Sequence, residues 1–258
     1  MIDRIPEQPF CQTRVSGSTF VNADCFDVFP FIEDKSIDAI ICDLPYGTTA
    51  NKWDTIIPFD KLWEQLNRVI KPNGAIVLFG SEPFSSALRM SNIKNYKYDW
   101  IWDKKMVTGF ALAKKQPMRN HENIIVFYQK QPTYNFQKRD VKKPFGKILD
   151  GVSSENYGNL KNKGERGVGY PKTIIEFPKP NNLSKSDLGG KHPTQKPISL
   201  MEYLIKTYTN KGDIVLDFTM GSGTTNLACI KLNRKSIGIE KEKQYYDVAV
   251  RRASEYCH

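Results

Sequence analysis

The chain has 258 residues, of which 40% are hydrophobic and 26% charged, an ordinary balance for a soluble globular protein. Its 38 Lys and Arg against 28 Asp and Glu give a net charge of +10, which favours a polyanionic partner, nucleic acid before an anionic membrane. No apolar run approaches the roughly 18 residues of a membrane span, and the first residues lack the basic and apolar regions of a signal peptide.

The first half of the chain predicts alternating strands and helices. The helix signal is clearest where Leu62, Trp63 and Leu66 recur at helical spacing, before a stop at Lys71-Pro72-Asn73-Gly74. Strands are predicted at residues 18–23, 36–42, 75–79, 99–102 and 123–128, and helices at 59–70 and 83–90. This alternation predicts a doubly wound α/β fold with a mostly parallel sheet and helices on both faces.

Residues 131–196 differ in composition from the rest of the chain. They hold 13 Lys and Arg against 6 Asp and Glu, so +7 of the net charge of +10 lies in this segment, which is also rich in Gly, Asn and Pro. A long solvated loop is one interpretation of this composition. Because the charge is concentrated and aromatic residues lie among the bases, we favour an insertion that contacts nucleic acid.

After residue 196 the alternation resumes. Helices are predicted at residues 198–208, 224–232 and 244–253, and strands at 213–216 and 235–239. The domain organisation is therefore expected to be a catalytic domain built from residues 1–130 and 197–258, interrupted by the basic insertion at 131–196.

Two predicted strands end in an aspartate followed by an unusual turn. One runs into Asp43-Leu44-Pro45-Tyr46, and the other into Asp217 and a loop that contains Gly221-Ser222-Gly223. Ligands of open parallel sheets bind outside the carboxyl ends of the strands, where the strand order reverses. Two such ends placed side by side predict one site with two subsites.

The glycine loop is typical of a nucleotide-like cofactor site. Gly221 and Gly223 between a strand and a helix allow the backbone to approach a ligand closely, although a tight turn before a helix is the alternative. Glu240 ends the next predicted strand, 19 residues beyond Gly221, where an acid can bind both ribose hydroxyls. A dinucleotide site would need a third glycine, but position 226 is Asn.

The turn at Asp43 is suited to activating an aromatic amine. The lone pair of such an amine is delocalised into its ring, and two acceptors for its N–H bonds draw the nitrogen toward a tetrahedral geometry. Asp43 supplies a carboxylate, the Leu44 carbonyl a second acceptor, Pro45 a stiff turn and Tyr46 a ring for stacking. A strand-ending turn with a core tyrosine is the alternative.

These motifs resemble those of the DNA amino-methyltransferases. The turn at Asp43 is similar to their Asp-Pro-Pro-Tyr motif, Asp217 to Thr225 resembles their S-adenosylmethionine loop, and His192 to Pro197 matches a third signature. The catalytic motif precedes the cofactor motif with a basic segment between them, which is the circularly permuted order of the β class. Leu44 replaces the first proline, and Thr219 shifts the usual Pro-Phe pair; the latter departure bears on packing against the cofactor.

The resemblance implies a Rossmann-like methyltransferase fold, S-adenosylmethionine as the cofactor and roles for particular residues. The implied catalytic residues are Asp43, Leu44, Pro45 and Tyr46. The implied cofactor-binding residues are Asp24, Thr194, Lys196, Asp217, Thr219, Gly221, Ser222, Gly223, Thr224 and Glu240. The expected DNA contacts are Lys52, Trp53, Lys138, Arg139, Lys142, Lys143, Lys161, Lys163 and Arg166.

The expected reaction is site-specific methylation of N6 of adenine in a base flipped out of double-stranded DNA. Adenine is preferred over N4 of cytosine because β-class enzymes with Asp at the first motif position are mostly adenine enzymes. An RNA or protein methyltransferase, or an inactive DNA-binding module of the same fold, is the alternative; a glutamine enzyme would carry Asn in place of Asp43. Expected partners are a second copy of the chain and a companion restriction endonuclease.

The cysteines and histidines bear on the compartment, the type of methylation chemistry and the presence of a metal site. Five scattered cysteines without a Cys-x-x-Cys pair argue against a disulfide framework and for a reduced, cytoplasmic compartment. None of them follows a proline, which disfavours the covalent chemistry of cytosine-C5 enzymes. Three scattered histidines predict no metal site, and His121-Glu122 is expected to have a structural or base-pocket role.

Overall fold

A computed structural model describes Ile5 and residues 9–48, 54–139, 153–154, 158–159, 169–179 and 195–257. The helices are α1 (Cys25–Val28), α2 (Phe59–Val69), α3 (Phe84–Ser91), α4 (Ile198–Tyr208), α5 (Thr224–Lys231) and α6 (Lys243–Cys257). The strands are β1 (Cys11–Val15), β2 (Ser18–Asn22), β3 (Ile37–Asp43), β4 (Ile70–Gly80), β5 (Tyr96–Thr108), β6 (Arg119–Phe127), β7 (Ser153–Ser154), β8 (Gly158–Asn159), β9 (Ile174–Glu176), β10 (Ile214–Asp217) and β11 (Lys235–Glu240).

A nine-stranded sheet runs in the order β1-β2-β11-β10-β3-β4-β6-β5-β9. Strands β2, β11, β10, β3 and β4 pair in parallel, so their carboxyl ends lie at one edge. The chain moves one way from β3 through α2 to β4, and the other way from β10 through α5 to β11. The junction of β10 and β3 is therefore the point where the strand order reverses, and a ligand site is expected there.

The sheet is covered on both faces because its strands carry apolar residues at successive positions. From β3, Ile40 packs with Leu62 and Leu66 of α2 on one face. Its neighbour Ile41 packs with Leu200 and Leu204 of α4 on the other. A sheet buried on both faces requires such continuous apolar strands, and the predicted doubly wound α/β fold is confirmed.

Strands β1 and β9 of the sheet were not predicted from the sequence, and two further features differ from the expectation. Residues 71–74, predicted to end a helix, lie within β4, which is longer than the expected strand at 75–79. The strands expected at 99–102 and 123–128 form one long antiparallel hairpin, β5 and β6, and β6 is also antiparallel to β4. The two strands lack the helix between them that a parallel crossover needs, so the antiparallel pairing follows from the short connection.

The described chain divides into two compact units, one of Met1–Asn135 with Thr173–His258 and one of Phe136–Lys172. Strand β9 belongs to the first unit and pairs in parallel with β5, although it lies within the segment predicted to be an insertion. In the second unit the backbone N–H of Arg139 donates to the carbonyl of Gly169 at 2.8 Å. No described helix is long and apolar enough to cross a membrane.

Candidate active site

A cavity of about 520 Å³ opens at the carboxyl ends of the parallel strands. Its lining comes from the ends of β2, β3, β10 and β11, from the loop before α4, and from Trp102 and Glu122 of the hairpin. Seven acidic side chains and three lysines line it, although the whole chain carries a net charge of +10. The cavity is therefore locally acidic, and its electrostatics favour a cationic ligand.

The loop between β10 and α5 forms one wall of the cavity. Gly221 and Gly223 adopt positive φ angles of 54° and 72°, a backbone conformation that L side chains rarely adopt. A Cβ on Gly223 would also lie 2.7 Å from the Cβ of Ala249 in α6. Gly221 lines the cavity, whereas the need for glycine at position 223 comes from its φ angle and from helix packing.

A buried arginine holds the loop between β10 and α5 in place by hydrogen bonds. Arg252 of α6 is 1% exposed and donates hydrogen bonds to the carbonyl of Ser222 at 2.6 Å and to its hydroxyl at 3.1 Å. The same nitrogen lies 3.3 Å from the hydroxyl of Thr224, the first residue of α5. The Ser222 hydroxyl in turn donates to Gln195. These bonds connect the glycine loop to both α6 and the segment before α4.

Glu240, at the end of β11, faces the same cavity. Its two carboxylate oxygens accept backbone N–H bonds, each of 2.8 Å, from Gly221 and Glu242. Burial raises the pKa of Glu240 to about 7, against the opposing effect of these two bonds. Asp24, which also lines the cavity, caps α1 by accepting from the Phe26 N–H at 3.0 Å and pairs with Lys241. A rigidly held carboxylate with free lone pairs is suited to receiving hydroxyl donors of a ligand.

Asp217, at the end of β10, is buried under the loop. It accepts from the Thr225 hydroxyl at 2.5 Å and from the Thr219 N–H at 3.3 Å. Burial raises its pKa to about 6, although hydrogen bonds from Thr225 and Cys42 oppose the shift. The folded chain therefore binds a proton at Asp217 more tightly than the unfolded chain does.

This shift predicts that Asp217→Asn stabilises the protein at high pH. A raised pKa contributes stability that is present below pH 4 and lost as the pH rises through about 6. An amide of the same shape avoids the buried charge, so the free energy of unfolding should rise by about 1–3 kcal/mol at pH 8, with the gain disappearing near pH 4. Urea denaturation at several pH values measures it, with the exposed Asp247→Asn as the control. A gain that does not change with pH would contradict this origin.

Asp43 ends β3, which is separated from β11 and Glu240 by the intervening strand β10. Its Oδ1 accepts a hydrogen bond from the Tyr46 hydroxyl at 2.7 Å, and its Oδ2 contacts the ammonium of Lys196. The Thr219 hydroxyl donates to the Asp43 carbonyl at 2.8 Å, which ties the end of β3 to the glycine loop. Burial raises the pKa of Asp43, while the charge of Lys196 opposes the rise.

The residues after Asp43 continue the cavity wall. Leu44, Pro45 and Tyr46 all line it, and the Tyr46 ring lies 5.2 Å from that of Phe84 at a tilt of 30°. The carboxylate of Asp54 accepts the N–H groups of residues 47 and 48 at 2.8 and 2.9 Å and closes the turn. The turn is thus held from both ends, and its aspartate and tyrosine face a common space.

The structure brings most of the sequence-predicted site residues to this one cavity. The cofactor candidates along its lining are Asp24, Lys196, Asp217, Thr219, Gly221, Ser222, Thr224 and Glu240. Lys196 contacts Asp43 directly, and Thr219 bonds to the backbone of Asp43. Thr194, Lys52, Trp53, Lys142, Lys143, Lys161, Lys163 and Arg166 lie outside the described residues. Lys138 and Arg139 lie in the Phe136–Lys172 unit, where the Arg139 guanidinium donates to the Tyr170 carbonyl at 2.8 Å.

Sequence reasoning missed several polar residues at the cavity. Lys179 lines the cavity, whereas Arg252 and Lys104 contact residues of its lining; none of the three belongs to a recognisable motif, because each is placed only by the packing of its own element. Gln195 lies within the signature at residues 192–197, but no role was assigned to it from the sequence, and the structure places it in the lining, bonded to Ser222. Glu122 was considered only for a structural or base-pocket role, and the structure places it 3.5 Å from Lys196. Within the described residues no group of three or more His, Cys, Asp or Glu side chains could hold a metal ion.

The sequence of the chain is similar to those of known DNA methyltransferases. A family described as DNA methylase matches residues 37–251. The Type II methyltransferase M.HpaI of Haemophilus parainfluenzae is 31% identical over 236 residues, which cover 86% of this chain and 69% of the relative. DNA adenine methyltransferase YhdJ of Escherichia coli is 28% identical, with 94% of this chain and 84% of the relative covered.

Solved structures resemble the fold over nearly its whole length. The crystal structure of the M1.HpyAVI–SAM complex matches with a TM-score of 0.60 and 29% identity, covering 90% of this chain and 97% of the other. The cytosine-N4-specific PvuII DNA methyltransferase matches with a TM-score of 0.68, covering 92% and 86%, but at 16% identity this likeness concerns the fold alone.

Proposed function

The chain belongs to the DNA methylase family of S-adenosylmethionine-dependent amino-methyltransferases, and from this membership we propose that it methylates N6 of adenine at a specific site in double-stranded DNA. The family comprises enzymes that act on adenine N6 or cytosine N4. Several relatives are Type II methyltransferases by name. The adenine specificity, the roles of individual residues and the partners below are parts of the proposal.

The observation that carries the proposal is the meeting of Asp43 and the glycine loop in one cavity. The Thr219 hydroxyl, on the loop, bonds to the Asp43 carbonyl, so the two proposed subsites are fixed relative to each other. The cavity volume of about 520 Å³ is within the usual range for small-molecule sites, about 300–1,000 Å³. Its excess of carboxylates suits S-adenosylmethionine, whose sulfonium and ammonium groups are cationic.

On the cofactor side, the chain binds and orients. S-adenosylmethionine supplies an electrophilic methyl group when it is bound. Glu240 would accept hydrogen bonds from the ribose hydroxyls, and Asp24 would contact the adenine end. Arg252 holds the glycine loop in place through Ser222, so the loop backbone meets the cofactor in a preformed shape.

On the substrate side, Asp43 and the Leu44 carbonyl accept the two N–H bonds of the target amine. The acceptors would increase the electron density on the nitrogen and hold its lone pair toward the cavity, where bound S-adenosylmethionine would supply the methyl group, its carbon–sulfur bond breaking as the carbon–nitrogen bond forms and the amine releasing a proton. The Tyr46 hydroxyl holds the Asp43 carboxylate in orientation, and its ring is available for stacking on the flipped-out base. No covalent bond to the protein forms.

The choice of adenine over cytosine is supported by resemblance. The two amines present the same N–H geometry, so the turn at Asp43 does not discriminate by chemistry. Asp at the first position of the motif is typical of adenine enzymes in the β class, and YhdJ, 28% identical to this chain, is named as an adenine methyltransferase.

The basic segment at 131–196 is the proposed target-recognition insertion in a catalytic domain of residues 1–130 and 197–258. Its positive charge suits the phosphate backbone, and its polar side chains suit contacts with base edges in the major groove. A second copy of the chain and a companion restriction endonuclease are the proposed protein partners, in keeping with the Type II names of the relatives. The proposed compartment is the cytoplasm.

Expression in a host that lacks adenine and cytosine amino-methylation tests both the base and the site. Sequencing that reports base modifications should find N6-methyladenine within one short recognition sequence, and an Asp43→Ala strain should show none. N4-methylcytosine without N6-methyladenine would refute the adenine assignment and leave the enzyme class in place. An absence of any methylated base, with the folded protein present, would refute the proposed activity.

A further inference from the structure

Four charged side chains, two of them buried and two half-buried, form a continuous row that begins at Asp43. Lys196 contacts Asp43, and its ammonium lies 3.5 Å from Oε2 of Glu122. The other carboxylate oxygen of Glu122 accepts from Lys104 at 3.3 Å. The side chains of both lysines are 8% exposed, and that of Glu122 is 17% exposed. Charges in such surroundings interact strongly because water screens them little.

Lys196 lies between the carboxylates of Asp43 and Glu122, and its contacts with the two are unequal. It forms a hydrogen bond with Asp43 Oδ2, whereas Oε2 of Glu122 is buried and has no hydrogen bond among the described residues. The ammonium also lies over the rings of Tyr46 and Phe79, at 5.9 and 5.2 Å from their centres. A short movement of Nζ would therefore exchange one carboxylate partner for the other without leaving the aromatic contacts.

The proposed reaction places a competing demand on Asp43. Its carboxylate must accept an N–H of the target amine, but Tyr46 and Lys196 already donate to its two oxygens. On the basis of the proposed function, we propose that Lys196 is the resting counter-ion of Asp43 and that Glu122 receives its ammonium when the target amine enters. Lys196 keeps its proton throughout, so the step is an exchange of hydrogen bonds. Both residues are positioning residues that act through Asp43.

This exchange resolves two opposing requirements. Burial raises the pKa of Asp43, so a cation must stay near the carboxylate to keep it ionised. A cation that remained bound to Oδ2 would exclude the amine. At Glu122 the ammonium is still close to Asp43, while the oxygen that it left is free to accept. Burial raises the pKa of Glu122 too, but Lys196 and Lys104 hold it below its ordinary value, so Glu122 is ionised and able to receive the ammonium.

The two positioning residues have opposite electrostatic effects on Asp43. The charge of Lys196 lowers the pKa of Asp43, and that of Glu122 raises it. The row ends at Lys104, and the other charged or titratable groups that face it among the described residues are Tyr46, Lys179 and Asp217. None of these four is altered in the variants below, so the changes isolate the pair.

The test compares Lys196→Met, Glu122→Gln and the double variant. Lys196→Met should move the acidic limb of the pH profile of kcat/KM to higher pH by a unit or more, because the charge that lowers the pKa of Asp43 is lost. At a pH on the acidic side of the limb, kcat/KM should then fall about tenfold. Glu122→Gln should move the limb downward and raise the KM for duplex DNA about tenfold, because the uncharged amide oxygen is a weaker acceptor for the Lys196 ammonium than the carboxylate. The double variant should return the limb toward its original position. The affinity for S-adenosylmethionine should change less than twofold in Glu122→Gln, the variant of a residue that is not among the cofactor candidates.

The matched control is the ion pair of Lys231 and Glu202, on α5 and α4, whose nearest atoms are 3.9 Å apart. Lys231→Met and Glu202→Gln make the same chemical changes away from the cavity and should leave the profile unchanged. Shifts of the limb in the same direction in Lys196→Met and Glu122→Gln, or no shift in either, would refute the exchange. If Lys196→Met does not fold, Lys196→Gln carries the same expectation with a smaller change of shape.

A measurement without turnover separates this proposal from the proposed function. A carbon-13 NMR titration of the Asp43 carboxyl in the free protein should show its pKa raised in Lys196→Met and lowered in Glu122→Gln. Opposite shifts in a protein that methylates no DNA would support the charge arrangement and refute the proposed function. Methylation of DNA with equal titration of Asp43 in all variants would refute the exchange and retain the proposed function.

Discussion

Asp43→Ala is expected to reduce methyl transfer to DNA by a hundredfold or much more, while the affinity for S-adenosylmethionine changes less than twofold. The carboxylate is held toward the substrate side of the cavity by Tyr46 and Lys196, and its backbone is tied to the glycine loop by Thr219. Loss of an oriented acceptor that stabilises the transition state costs about 3 kcal/mol or more, a rate factor of over a hundred. Single-turnover rates and equilibrium cofactor binding measure the two quantities separately.

Two variants make this result specific. Asp43→Asn keeps the shape but offers one acceptor atom in place of two and no charge, so it should lose most of the activity without a change in fold. Glu240→Ala should mainly affect cofactor affinity and not the transfer rate. It should weaken cofactor binding by about 1–3 kcal/mol because a charge-assisted pair of hydrogen bonds is lost. If Asp43→Ala and Glu240→Ala weakened cofactor binding equally, the assignment of the two carboxylates to different subsites would be wrong.

The position of the site could be predicted from the sequence because it depends on strand ends. Asp43, Asp217 and Glu240 each follow an apolar run, and parallel strands place their carboxyl ends at one edge. Helix α4 was predicted at residues 198–208, the bounds that it has in the structure. These features follow from local patterns, periodicity and strand polarity, which are properties of neighbouring residues in the chain.

The charged row behind Asp43 could not be predicted in the same way. Lys104 and Glu122 meet because β5 and β6 form an antiparallel hairpin, whereas the sequence favoured parallel alternation. Lys196 contacts Asp43 although the two residues are 153 positions apart in the chain, and the motif that contains Lys196 suggested a contact with the cofactor instead. Register and long-range pairing decide which charges meet, and the sequence pattern of a single strand does not specify its partner.

The glycine loop shows that glycines can be required for a physical reason other than the one that the sequence suggests. The sequence suggested that Gly221 and Gly223 admit a ligand close to the backbone. For Gly223 the structure gives two other reasons, a φ of +72° and the contact of its position with Ala249 in α6. Residue 223 is at the N-terminus of α5, so its conformation also sets the direction in which the helix leaves the loop.

Gly223→Ala is therefore expected to destabilise the protein by about 2–4 kcal/mol and to weaken cofactor binding at the same time. A residue with a Cβ adds a penalty of about 1 kcal/mol for the left-handed backbone. The new methyl group, 2.7 Å from the Ala249 Cβ and 3.2 Å from its Cα, adds overpacking of about 1–3 kcal/mol because backbone cannot move aside as a flexible side chain can. Urea denaturation and cofactor titration measure the two effects.

Gly212→Ala separates the two contributions. Gly212 precedes β10, at the edge of the sheet opposite the cavity, and has a φ of +86° with nothing within 4 Å of an added Cβ. Gly212→Ala should therefore lower the free energy of unfolding only by the backbone penalty, about 1 kcal/mol, and leave the cofactor affinity unchanged. The double variant Gly223→Ala with Ala249→Gly should recover most of the overpacking contribution, apart from the cost of a glycine inside α6, about 1 kcal/mol. Equal destabilisation by Gly212→Ala and Gly223→Ala would mean that α6 yields to the added methyl group, and that the strained backbone alone requires glycine in the loop.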